Sequence, residues 1–118
     1  MAANITAVAS GTYVIGVKSA TTVGNIDTVN ITADDGVAGA STVALGTPTI
    51  AGVETLGITA NDATTVTALT SVTSMSSLNV SGAKAATITT GALAINANMT
   101  VDGSGLTRSI YCHIRVNG

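Results

Sequence analysis

Six acidic side chains are all that this 118-residue chain carries, and several fall in matching places. Asp34 and Asp35 close the line IDTVNITADD, and Asn61 and Asp62 close the related line VETLGITAND. If the two lines stack, their terminal oxygens meet at one corner. Ca²⁺ takes six to eight oxygen ligands from carboxylates and carbonyls. Asp34, Asp35 and Asp62 are therefore the candidate metal ligands, and calcium is the cation they would suit. The plainer reading is a turn, in which Asx side chains bond their own backbone two residues on. Asp27 and Glu54 open the same two lines. Like charges in neighbouring layers repel unless a cation separates them, so these two are expected to splay into water.

Residues for covalent chemistry are sparse. Cys112 and His113 are adjacent, but no third group stands by to orient them, so they do not make a nucleophile and base. Ser104, in GSG, lacks the strand, elbow and helix that a hydrolase serine needs. Lys18, Lys84, Arg108 and Arg115 are the only basic residues and lie far apart in sequence, unlike the clustered acids and bases of polysaccharide-cleaving β-solenoids. No catalytic residue is assigned, and the chain is read as a non-enzyme. Four basic residues also make nucleic-acid binding through phosphate contacts a poor reading. Thr-x-Thr pairs occur at Thr47-Thr49, Thr65-Thr67 and Thr87-Thr89. Their uneven spacing favours a cross-strand threonine ladder over a regular water-ordering array.

The elements that must position these residues are read from repetition. Val29-Asn30-Ile31 matches Leu56-Gly57-Ile58, then Leu78-Asn79-Val80, with a fainter copy at Met99-Thr100-Val101. The copies stand 27, 22 and 21 residues apart, a spacing that belongs to solenoids and related arrays. Each copy alternates apolar and polar residues with the period of a strand. Gly and Asx residues follow each one, and they accept the backbone angles of sharp bends. A second β-like run comes next: Thr42-Leu45, Thr65-Leu69 and Ala86-Thr89. Strand, corner, strand, corner is one turn of a parallel β-solenoid. Its inner face is buried only when like residues of the next coil lie on it, roughly 4.8 Å away. The spacing predicts one column of Val29, Leu56, Leu78 and Met99, and a second of Ile31, Ile58, Val80 and Val101.

The fold is thus expected to be all-β, a parallel β-solenoid of about four to five coils, with a β-sandwich of seven or so short strands as the alternative. Composition agrees. The chain has no Phe, no Trp and two Tyr, so its 46% hydrophobic content is mostly Ala, Val, Leu and Ile, which suit thin stacked layers. Only 8% of residues are charged, against roughly a quarter in typical domains, which leaves little repulsion between copies.

After Gly105 the composition shifts. TRSIYCHIRVNG holds both arginines, the only Cys and the only His. Residues 1–107 are read as a single solenoid domain, and residues 108–118 as a foreign or vector-derived tail. The N-terminal residues show no signal peptide. No stretch approaches the ~18 apolar residues of a membrane-spanning helix, so membrane insertion is not expected.

The phrase AGVETLGITANDATTVTAL, at Ala51 to Leu69, and SLNVSGAKAATIT, at Ser77 to Thr89, resemble the low-complexity solenoid regions of bacterial S-layer and RTX-type exported proteins. The likeness covers roughly residues 20 to 107. It implies a fragment of a surface-array protein, placed at the cell surface or outside the cell, exported by a C-terminal signal and ordered by calcium. Two departures stand out. The calcium nonapeptide GGxGxDxxx of the family is absent, with Asp102-Gly103-Ser104-Gly105 its nearest approach, and no C-terminal export signal is visible. The resemblance implies a structural, self-associating role with the chain itself as partner. The alternative is a binding module of the ice-binding or adhesin type.

Overall fold

A computed structural model describes residues 1–17, 24, 26–69, 75–90, 100–108 and 110–113. They form eleven strands and, among the described residues, no helix. The strands are β1 (Ala2–Ala7), β2 (Val14–Ile15), β3 (Thr28–Ala33), β4 (Thr42–Ala44), β5 (Thr49–Ile50), β6 (Thr55–Ala60), β7 (Ala63–Leu69), β8 (Ser77–Gly82), β9 (Ala86–Thr90), β10 (Thr100–Leu106) and β11 (Ile110–His113). Sheet one has the order β1-β3-β6-β8-β10, sheet two β11-β9-β7-β4, and β2 pairs with β5. Every pairing is parallel. The chain is a β-solenoid, and the sandwich alternative falls, because strands of successive turns lie parallel side by side instead of folding back as antiparallel pairs.

Register follows side-chain type. Val29 lies beside Leu56 and Leu56 beside Leu78, while Ile5, Ile31, Ile58 and Val80 form the next column. Ala7, Ala33 and Ala60 form a third. These residues point inward and, Ile5 excepted, are fully buried. A slip of one residue would turn every one of them to water, so the alternation fixes the register. From sheet two Val43, Val66, Leu69 and Ile88 join the same core, together with Leu45, Ile50, Val53 and Met75. Each buried Leu, Ile or Val contributes about 1.5–3 kcal/mol through water exclusion. Without rings to fill it, the interior stays narrow.

Two parts of the expected columns change. Val101 lies beside Leu78, not beside Val80, so the fourth copy is shifted by two residues. The even shift keeps inward residues inward, which is why it is tolerated; Met99 lies outside the described residues. Asp102, expected in a turn, instead pairs with Asn79 inside β10, and a register break separates it from Gly105. The second difference is a further rung. β1 repeats β3 almost letter for letter, Asn4-Ile5-Thr6-Ala7 against Asn30-Ile31-Thr32-Ala33.

The residues read as a tail are partly in the fold. β11 runs parallel to β9, with Ile110 beside Ala86 and His113 beside Thr89, as the outer strand of sheet two. Residues 114–118 lie outside the described ones. Gly82 shows why a rung can require glycine. Its φ is +123°, and a Cβ there would run into the backbone of Ala60 in the preceding coil.

Candidate site at the stacked corners

The turn after β3 and the turn after β6 coincide in projection, because Ala33 and Ala60 are in register. That brings Asp34, Asp35 and Asp62 together, with one carboxylate oxygen of each within 4.8 Å of the others. The three candidate ligands therefore do meet, as the stacking of the two lines predicts.

Donors from the chain itself hold them. The Asp35 backbone N–H donates to Asp62 Oδ2 at 2.7 Å, and Ser41 Oγ donates to Asp62 Oδ1 at 3.2 Å. Asn61 Nδ2 donates to Asp34 Oδ2 at 3.1 Å. Within the first corner, the Gly36 N–H donates to Asp34 Oδ1 at 2.9 Å and the Val37 N–H to Asp35 Oδ1 at 2.8 Å. These last two are the Asx turns anticipated from residue type. The Val37 N–H is the main reason the Asp35 carboxyl sits below the ordinary aspartate range; partial desolvation opposes it, and Ser41 reinforces it. Asp62 is buried, with 5% of its surface exposed, while Asp34 and Asp35 are half-buried.

Chemically, three carboxylates within this distance can supply part of a Ca²⁺ shell, which spans oxygens at roughly 2.3–2.6 Å from the ion. They can equally serve as acceptors that staple one coil to the next. An open cleft of about 650 Å³ lies against them, lined by Asp34, Val37, Asn61, Asp62 and Lys84. Lys84 brings a positive charge to the same cleft, which offsets part of the acidic field a cation would feel. Of Ser41 and Lys84, Ser41 is not marked by the sequence pattern. Ser41 sits in a connector with no repeat, whereas Lys84 stands in the third copy at the place of Asp35 and Asp62, with Ala83 at that of Asp34 and Asn61.

The second acidic pair behaves otherwise than expected. Asp27 does not splay into water: it is 1% exposed. Its Oδ1 pairs with the N-terminal ammonium of Met1 at 3.0 Å, and Oδ2 has no hydrogen-bond partner. Glu54 directs its Oε2 to the backbone N–H of Asp27 at 2.7 Å. Like-charge repulsion is relieved because one carboxylate meets a cation and the other meets an amide. No pattern in the sequence marks the ammonium as the partner.

Cys112 and His113 fall on β11 and Ser104 on β10. The Ser104 N–H donates to Asp102 Oδ1 at 2.9 Å, and hydrogen bonds from Ser104 hold the Asp102 carboxyl below its ordinary range. Of the Thr-x-Thr pairs, Thr65 and Thr87 do stack in register, whereas Thr49 lies apart, beside Val14. No protein-family model matches the chain, and neither a curated protein nor a solved structure matches it.

Proposed function

We propose that this chain is a structural module that works by associating with copies of itself, as a piece of an exported surface array of the S-layer or RTX kind, and that it carries out no catalysis. One observation supports the reading above others: sheet one stacks five parallel rungs in near-identical register, and among the described residues its outer strands, β1 and β10, have a neighbour on one side only. A strand with an unpaired edge offers a row of N–H and C=O groups to another chain. The low charge gives copies little reason to repel. The two buried carboxylates, Asp27 and Asp62, serve to join coils, which is structural work. Sedimentation velocity across a concentration series tests the reading. Mass growing with concentration supports it, and a monomer throughout removes it.

A second reading rests on the outer face of sheet one. Thr28, Thr55, Ser77 and Thr100 form one column of hydroxyl residues, and Thr6, Thr32, Thr59 and Ser81 form another. Asn4, Asn30 and Asn79 stand between them, with Gly57 completing that column. Rungs repeat at roughly 4.8 Å, so these columns make a regular polar array of the kind that would order water or meet a crystalline surface. Inhibition of ice recrystallisation at low protein concentration supports this reading, and its loss in Thr32→Tyr and Thr59→Tyr would assign it to this face.

A further inference from the structure

The two ends of the solenoid differ. At one end the outer described strand of sheet one is β10, whose register breaks between Asp102 and Gly105 and which carries a charged side chain at that break, beside the four-residue β11 of sheet two. Bulges and charges are the devices that blunt a sheet edge against pairing. At the other end the outer strand is β1, which pairs with β3 without interruption from Ala2 to Ala7. Apart from Tyr13, residues 1–17 contain no ionisable side chain. Beside β1, the edge of β4 is already taken: the Gly11 N–H donates to the Ala44 carbonyl at 3.0 Å and the Ala44 N–H to Ser10 Oγ at 2.9 Å. Among the described residues, β1 and β2 are the strands of this end with a partner on one side only, and β1 is the longer, six residues against two.

Backbone parity shows which groups that edge offers. The Met1 and Ala7 carbonyls accept the Thr28 and Asp34 N–H groups, so odd-numbered residues of β1 turn their amides toward β3. Even-numbered Ala2, Asn4 and Thr6 then turn theirs away. The inner face of the strand is Ala3, Ile5 and Ala7. Ile5 is only half-buried, unlike Ile31 and Ile58 in its own column, because among the described residues no rung lies on its other side.

We propose that β1 pairs antiparallel with β1 of a second copy about a two-fold axis through Ile5, so that self-association closes at a dimer. This rests on the self-association reading and specifies it. The segment Ala3-Asn4-Ile5-Thr6-Ala7 is close to a palindrome in side-chain size. Antiparallel pairing centred on Ile5 sets Ala3 against Ala7, Ile5 against Ile5, and Asn4 against Thr6. Apolar residues meet apolar ones on the inner face and polar meet polar on the outer. The backbone agrees, since Asn4 and Thr6 then form the hydrogen-bonded pairs and Ile5 the non-hydrogen-bonded one. The half-exposed Ile5 gains the neighbour that its column supplies elsewhere. A head-to-tail stack would instead lay β1 on the broken register of β10 and would propagate without closing.

The test is a disulfide at the axis, in a Cys112→Ser background so that no other thiol competes. Facing residues of a non-hydrogen-bonded pair have Cα atoms roughly 4.5 Å apart, within disulfide range. Oxidised Ile5→Cys should run as a covalent dimer that reductant dissolves. Sedimentation of the Cys112→Ser chain should show monomer and dimer with nothing larger. Thr6→Pro removes an outward N–H and no internal bond, so it should weaken the dimer at least about tenfold while leaving the circular dichroism spectrum unchanged. An open-ended series of oligomers, with no covalent dimer from oxidised Ile5→Cys, would overturn the two-fold pairing and leave self-association standing. A monomer at every concentration would overturn both.

Discussion

Asp62 Oδ2 accepts the backbone N–H of Asp35 at 2.7 Å across two stacked turns. A side chain of one coil thereby satisfies the main chain of its neighbour, in a place where the strand ladder has ended. Removing the acceptor leaves the Asp35 amide and the Ser41 hydroxyl without it. Asp62→Ala is expected to cost about 2–3 kcal/mol, and Asp62→Asn, which keeps an oxygen in place, about 1 kcal/mol or less. Because chain donors already engage these carboxylates, millimolar calcium should move the melting temperature by no more than about 2 °C, less than a change of about 1 kcal/mol would produce in a domain of this size. A larger rise, reversed by chelator and absent in Asp62→Asn, would make the corner a calcium site instead.

Asp35 and Asp102 set an acid limb. Both carboxyls are held below their ordinary range by hydrogen bonds from Val37 and Ser104. The unfolded chain therefore takes up protons at higher pH than the folded one. Their stabilisation is fully present above the unfolded value, about 4, and is lost as pH falls through the lower folded values. Urea midpoints measured from about pH 6 to about pH 2 should be flat above pH ~5 with respect to these groups and then fall. The double variant Asp35→Asn, Asp102→Asn should show a shallower fall. An unchanged acid limb in that variant would mean other carboxylates produce it.

Much of this architecture is legible because a solenoid writes its contacts into its own text. Val29, Leu56 and Leu78 are far apart in sequence yet sit side by side, and only their shared place in a repeated phrase says so. The same logic brings Asp34, Asp35 and Asp62 together. Legibility fails where repetition weakens. The letters NITA at Asn4 and again at Asn30 announce β1, but the line lacks its acidic ending there, because Val8-Ala9 replaces Asp34-Asp35. Thr100-Val101 resembles Thr28-Val29 as well as it resembles Asn79-Val80, so its register is ambiguous by two residues. The Met1–Asp27 pair leaves no trace in the pattern, since the ammonium belongs to the chain terminus and not to a side chain.

Position along the stack should decide what a cavity costs. Leu56 is fully buried, with Val29 on one side and Leu78 on the other. Val101 is half-buried on the outer described strand, with Leu78 as its register neighbour on one side. Leu56→Ala is expected to cost about 3–4 kcal/mol, because both neighbouring rungs lose contact and neither can move in to fill the gap. Val101→Ala should cost about 1 kcal/mol, since solvent or local adjustment fills the space. Urea unfolding read for both midpoint and slope checks this. Equal losses at the two sites would mean that the rungs unfold with no gradient from the end to the centre, contrary to nearest-neighbour stacking.

The Asp27 carboxyl group is buried without full satisfaction, because its Oδ2 has no hydrogen-bond partner among the described residues. Asp27 Oδ1 meets the Met1 ammonium at 3.0 Å, while the ammonium also donates to the Ile26 carbonyl at 3.1 Å. Acetylating the amine removes its charge and leaves the buried Asp27 carboxyl group without its cation. Breaking a fully buried pair costs about 3–5 kcal/mol, but this ammonium is half-exposed and screened, so about 1–2 kcal/mol is expected here. In Asp27→Asn the same acetylation should cost little, because a neutral amide needs no counter-charge. The cycle of four proteins, with Met1 retention verified by mass, isolates the coupling. An acetylation penalty equal in both backgrounds would show that the amine acts through packing of Met1 and not through its charge.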